Sequence, residues 1–171
     1  SMNATPERLI KVMEDAGIDK SVVFGSDYGL IFGEPKRNIL DFNKFIADGA
    51  KEYPDKLISF FTIDVRRPKA AESFETALTK WEMKGLKLHP FGYYPNGEEC
   101  YKLYEIADKY QVPIITHVGY VPNIKAITAR LEYFDAPATD FPDLKFCIAH
   151  LNYGDVNPLG NMMLFKQNIF C

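Results

Sequence analysis

The sequence predicts an α/β fold in which short parallel strands alternate with amphipathic helices. Short β-branched runs ending in Gly, Asp or His are each followed by a longer stretch with apolar residues three and four apart. The runs recur about every 30 residues, the length of a βα unit. The run at 57–64, Leu-Ile-Ser-Phe-Phe-Thr-Ile-Asp, is too apolar to face water on either side, as a strand covered on both faces of a parallel sheet must be.

Each element follows from local chemistry. Thr5 and Pro6 supply the N-cap and first-turn proline of a helix whose apolar face is Leu9, Ile10 and Met13 and which stops at Gly17. Residues 21–25 form a strand. A second helix turns Ile39, Phe42, Ile46 and Ala50 inward and stops near Tyr53 and Pro54, before the strand at 57–64. Pro68 opens a third helix with Ala70, Phe74, Ala77, Leu78 and Trp81 on one face, and a strand at 85–90 is stopped by its own proline. Cys100, Leu103, Tyr104 and Ala107 mark a fourth helix ahead of a strand at 112–117. A less regular helical stretch at 122–134 precedes a strand at 144–150, and a last helix near 159–165 leads into 168–171, the start of another strand. No linker, low-complexity segment or further repeat interrupts the pattern, so residues 1–171 read as one domain.

Composition excludes several functions. The chain is 47% hydrophobic, and its 20 basic and 23 acidic residues are interspersed, so no basic stripe exists for nucleic acid. No apolar run approaches the ~18 residues of a membrane span, and the N-terminus lacks the charged-then-apolar pattern of a secretion signal, so a cytoplasmic protein is expected. Ser1 ahead of Met2 reads as a remnant of tag removal. Cys100, Cys147 and Cys171 form no CxxC pair, which speaks against a disulfide framework or zinc finger; Cys100 and Cys147 read as small buried apolar residues.

The chemistry concentrates at the strand ends. His89, His117 and His150 close three consecutive predicted strands. In parallel α/β folds that end is where ligands bind, and adjacent strands stand about 4.8 Å apart, so imidazoles there can reach one ion or substrate. Lys87, two residues before His89, shares its face. It can bind an anion, bridge two metals if carbamylated, or simply snorkel to solvent. Asp27 and Asp64 close the first two strands, where a rim position competes with a plain turn or cap. Tyr93, Tyr94, Tyr120 and Tyr153 follow the histidine-bearing strands, where rings can line a pocket for a planar substrate or pack in the core. Neither a GxGxxG phosphate loop nor a GxSxG nucleophile elbow is present.

Four phrases in order, residues 13–23 (MEDAGIDKSVV), 85–90 (GLKLHP), 112–119 (VPIITHVG) and 141–151 (FPDLKFCIAHL), resemble the amidohydrolase-related, metal-dependent TIM-barrel enzymes that include aminocarboxymuconate semialdehyde decarboxylase. The resemblance implies a partial (β/α)8 TIM barrel covering about strands 2 to 6 and the start of 7. It implies a metal-dependent hydrolase or nonoxidative decarboxylase acting on a small carboxylated or cyclic substrate with metal-activated water, the divalent metal being zinc first and manganese second. His117 is then a metal ligand, His150 a ligand or the catalytic base, and His89 and Lys87 substrate contacts. The family's first-strand His-x-His and eighth-strand Asp have no counterpart, and 171 residues fall short of the ~250 of a full barrel. The phrase Phe24-Gly25-Ser26-Asp27-Tyr28 resembles the eighth-strand motif and keeps a permuted order open.

The chain as it stands is therefore expected to lack ligands, and with them metal and turnover. The alternatives are an inactive truncated barrel serving as a ligand-binding or oligomerising module, and a different βα enzyme with metal-free acid/base histidines. Open strand edges predict a homo-oligomer or a domain swap.

Overall fold

Helix α1 (Pro6–Asp15) opens the computed structural model, which describes residues 5–171; the reading of Ser1 lies outside the described residues. The Thr5 hydroxyl oxygen accepts from the Arg8 N–H at 3.4 Å, capping the helix as expected. There follow β1 (Ser21–Val23), α2 (Gly29–Phe32), α3 (Ile39–Glu52), β2 (Leu57–Ser59), β3 (Phe61–Thr62), α4 (Ala70–Lys80) and β4 (Leu86–Leu88). The second half comprises α5 (Glu98–Lys109), β5 (Ile114–Thr116), α6 (Asp135–Asp140), β6 (Phe146–Ile148), α7 (Val156–Phe165) and β7 (Ile169–Phe170).

All pairings among these strands are parallel, and chain neighbours are sheet neighbours, in the order β1-β2 and then β3-β4-β5-β6-β7. The strand expected at 57–64 is divided at Phe60, where the backbone changes partner. Phe60 N–H donates to the Val23 carbonyl at 2.9 Å, and Phe61 N–H donates to Gly85 at 2.8 Å. One continuous ribbon thus joins the two pieces into a curved, one-directional sheet, the architecture of an incomplete barrel.

Alternation sorts the strand residues. Phe61, Leu86, Leu88, Ile114, Phe146, Ile148 and Ile169 join the buried core with Phe74 and Ala77 of α4 and Leu103, Tyr104 and Ala107 of α5. A smaller cluster of Ile10, Met13, Ala50 and Leu57 holds α1 and α3 to β2. The opposite, concave face carries Thr62, Lys87, Ile115, Cys147 and Phe170, which lie in register on neighbouring strands.

The stretch at 122–134 departs from the helical expectation. It is a loop with a short bridge between Val121 and Ile124, and regular turns begin only at Leu131. Pro122 biases Val121 toward extended backbone, and buried Thr128 ties the loop elsewhere: its hydroxyl donates to the Pro90 carbonyl and accepts from Gly92 N–H at 3.1 Å.

Asn43 is the polar pin of the first half. Wholly buried on α3, it donates to the carbonyls of Ile39 and Thr62, each at 2.8 Å, and accepts from the Thr62 N–H at 2.9 Å. Replacing it strands buried backbone groups of β3. Asn43→Ala is expected to lower stability by about 2–4 kcal/mol in urea unfolding.

Candidate active site

The concave face ends in a cavity of about 410 Å3 whose wall includes Lys87, His89, His117 and His150. Strand period places three of these. Lys87 is in register with Ile115, so His89 and His117, each two residues further on, rise to the same rim, their rings 6.2 Å apart.

His150 arrives differently. Phe146 and Ile148 point under the helices, and the same alternation would send residue 150 after them. Instead His150, Leu151, Asn152 and Tyr153 form a left-handed turn, with φ of 67°, 50°, 51° and 57°. Its backbone brings the imidazole back toward the rim, where the His150 Nε2 stands 3.0 Å from the His117 Nδ1. Such backbone costs roughly 1–2 kcal/mol per residue, so the surrounding contacts must hold it.

The tautomers follow from the partners. His117 Nε2 faces the Gly119 carbonyl at 3.3 Å, and a carbonyl only accepts, so this nitrogen carries the proton. Its Nδ1 lone pair then faces His150. Burial, reinforced by Lys87 and His150, depresses the His117 imidazole to about 4; burial, Lys87 and the other two histidines depress His89 to about 3. Both are neutral near pH 7, which is the form that binds a metal or accepts a proton.

Lys87 is 2% exposed, and its Nζ lies 5.3 Å from the centre of the Phe24 ring. Burial lowers it from 10.5 to about 8. Among the described residues no carboxylate forms an ion pair with it, so the site holds a buried cation above an apolar floor.

The two aspartates have other work. Burial alone would raise the Asp27 carboxyl, but hydrogen bonds from Arg67 and the Asp64 N–H outweigh it and hold the carboxyl below its usual range. Arg67 spans Asp27, at 2.6 and 2.7 Å, and Glu34, at 2.8 and 3.0 Å. Asp64 accepts from Arg66 at 2.9 and 2.6 Å. Both are structural clamps rather than free acids at the rim.

The tyrosines divide. Tyr120 and Tyr153 line the cavity, whereas Tyr93 is buried in the core beneath Arg66 and Tyr94 packs edge-on against Tyr133 at 4.9 Å. Phe24 and Tyr28 also line it, and Tyr28 sits edge-on to His89 at 5.4 Å. They follow β1 as the other aromatics follow their strands, and that position is the signal that finds them. Cys100 is buried and Cys147 half-buried, in keeping with a packing role. Among the described residues no group of three or more His, Cys, Asp or Glu side chains is arranged to hold a metal ion.

A family model described as amidohydrolase matches residues 36–168. No curated protein matches the chain. An uncharacterised TIM-barrel protein from Bordetella bronchiseptica superimposes with a TM-score of 0.75 at 20% identity, over 95% of this chain and 57% of that one. The 5-carboxyvanillate decarboxylase of Novosphingobium aromaticivorans, with bound manganese and a methoxy-hydroxy-nitrobenzoic acid, gives 0.71 at 18% identity over 94% and 54%. The 2,6-dihydroxybenzoate decarboxylase from Rhizobium gives 0.67 at 16% identity over 96% and 59%. The chain thus spans little more than half the length of these structures, and the likeness establishes the partial TIM-barrel fold.

Lys87 makes the electrostatics of the site measurable. The drop from 10.5 to about 8 corresponds to roughly 3 kcal/mol of charge burial. Above the unfolded value of 10.5 neither state is charged and no penalty exists; as pH falls to about 8 only the unfolded state gains the proton, and the penalty becomes full. Lys87→Met is expected to raise stability by about 1–3 kcal/mol at pH 7. Thermal melts should show this gain shrinking as pH rises from 8 toward 10.5.

Proposed function

Because this chain belongs to the amidohydrolase family, we propose that it carries the central part of a metal-dependent hydrolase or nonoxidative decarboxylase for a small, carboxylated, cyclic substrate. The observation that carries this reading is the pair of facing nitrogens on His117 and His150, beside His89 and buried Lys87 in one cavity.

The pair fits a divalent ion in part. Its facing ring nitrogens, 3.0 Å apart, are close enough that both could hold one divalent ion. Two imidazoles are fewer than the three protein ligands such a site takes, and the described residues offer no third. His117 holds its proton on Nε2 through Gly119 and presents Nδ1; His150 presents Nε2 once its own proton sits on Nδ1. A bound divalent ion supplies Lewis acidity at this point.

The other side chains bind and orient. Lys87 offers a desolvated cation for a substrate carboxylate, and Phe24, Tyr28 and Tyr120 offer aromatic walls for a ring. His150, exposed on its loop, is the group placed to move a proton between substrate and solvent. The manganese and benzoic acid of the 5-carboxyvanillate decarboxylase structure support a divalent metal and this substrate class. No helix among the described residues is long and apolar enough to cross a membrane, and three free cysteines suit a reducing, cytoplasmic setting.

A second reading, a binding or assembling module without turnover, has its own observation. Among the described residues β1 and β7 have no strand partner on their outer sides, and Val22, Phe24 and Phe170 on or beside those strands and Leu164 and Phe165 on α7 are exposed. A second copy of the chain is the proposed occupant, since it brings both strand edges and matching apolar surface.

Metal analysis by plasma mass spectrometry of untagged protein tests the first reading: stoichiometric divalent metal in the wild type and none in His117→Ala is expected, and equal content in both overturns the ligand assignment. Light scattering tests the assembly. Dimers or larger species are expected at micromolar concentration and monomers for Leu164→Glu with Phe165→Glu, and a monomeric wild type rules self-association out.

A further inference from the structure

Two features of the rim loops meet at one point, the seat of Tyr153. A Cβ added to Gly119 would run into the Tyr153 side chain, so the ring occupies the space that the missing side chain leaves. Gly119 has φ of 113°, a conformation that glycine alone takes without strain, so both its backbone and its bareness are required here. The Tyr153 ring is further held edge-on by Tyr120 at 6.1 Å, and it lies 6.3 Å from the His150 ring on the same left-handed turn.

We propose that Tyr153 is a positioning residue: seated on Gly119, it clamps the left-handed turn and so aims the His150 Nε2 at the His117 Nδ1. This role rests on His117 and His150 being ligands, but Tyr153 itself belongs to neither the ligand pair nor the reacting groups. Gly119 serves both halves of the pair. Its carbonyl sets the His117 proton on Nε2, and its α-carbon carries the ring that orients His150. The turn from His150 to Tyr153 has four positive-φ residues, none of them glycine; His150 and Asn152 tolerate that backbone, but Leu151 and Tyr153 do not, so contacts must hold those two. Among the described residues, the Tyr153 ring packs against the β5 loop through Gly119 and Tyr120, and through that loop against the strand end that bears His117. The interaction is one of shape: the ring matters and the hydroxyl does not.

Zinc chloride titrated calorimetrically into the full chain is the probe, because imidazole pairs hold zinc more tightly than manganese. Tyr153 is 56% exposed, so its truncation removes little core. Tyr153→Ala is expected to weaken zinc at least tenfold with little change in melting temperature, and Tyr153→Phe to bind as the wild type does. Long-range nitrogen–proton correlation spectra should show His117 still protonated on Nε2 in Tyr153→Ala, with its proximity to His150 lost. Should Tyr153→Ala fail to fold, Tyr153→Leu asks the same question. Unchanged affinity in Tyr153→Ala, alongside lost binding in His117→Ala, overturns the positioning role alone. Zinc binding unaffected by His117→Ala, or absent from the wild type, overturns the ligand reading and this inference with it.

Discussion

In-register parallel pairing from β3 through β7 determines where Lys87, His89 and His117 stand. Once Thr62, Lys87, Ile115 and Cys147 are aligned across neighbouring strands, a step of two residues lifts His89 and His117 to a common level above them. A slip of one residue would send Lys87 into the helix-covered core and Leu86 and Leu88 onto the concave face. The burial of Leu86, Leu88, Ile114 and Phe146 under α4 and α5 therefore holds the site together as surely as any contact within it.

Charge is handled in two opposite ways at the rim. Asp27 and Asp64 are each met by an arginine fork, and the paired groups fix the loops after β1 and β3. Those loops carry Tyr28 to its place against His89. Lys87 has no such partner among the described residues and stays close to a phenylalanine ring in a position where burial disfavours its charge. Proteins pair or neutralise buried charge unless something else uses it. The contrast between ion-paired aspartates and a lysine with no carboxylate partner among the described residues is what supports the proposal of an anionic ligand.

The histidines likewise reach one another by different routes. His117 stands at the end of a strand, and its tautomer is set by a carbonyl two residues away. His150 depends on a run of left-handed backbone in which His150 and Asn152 are types that tolerate it but Leu151 and Tyr153 are not. The ordinary half of the pair is rigid, and the unusual half is held by an aromatic ring resting on a glycine.

Much of this was legible from residue order. Alternating apolar periods predicted the strands and helices, because burial on one face imposes a period of two or of 3.6 residues whatever the rest of the chain does. The placement of His89, His117 and Lys87 followed from the same periodicity. The helical expectation at 122–134 failed because Thr128 is drawn into hydrogen bonds with the distant Pro90 and Gly92, partners that local pattern does not reveal. Tyr93 and Tyr94 were drawn into packing, while Phe24 and Tyr28 took the cavity wall instead. By itself, the sequence determined the α/β fold class, the places of the strands along the chain and which histidines stand at their ends, since these depend on local periodicity. Tertiary structure alone decided that Asp27 is clamped by Arg67, that Lys87 has no carboxylate partner among the described residues, and that His150 turns back to meet His117. These outcomes depend on residues far apart in the chain, which only the closed packing of neighbouring loops brings together, whereas the Asp64–Arg66 pair is local.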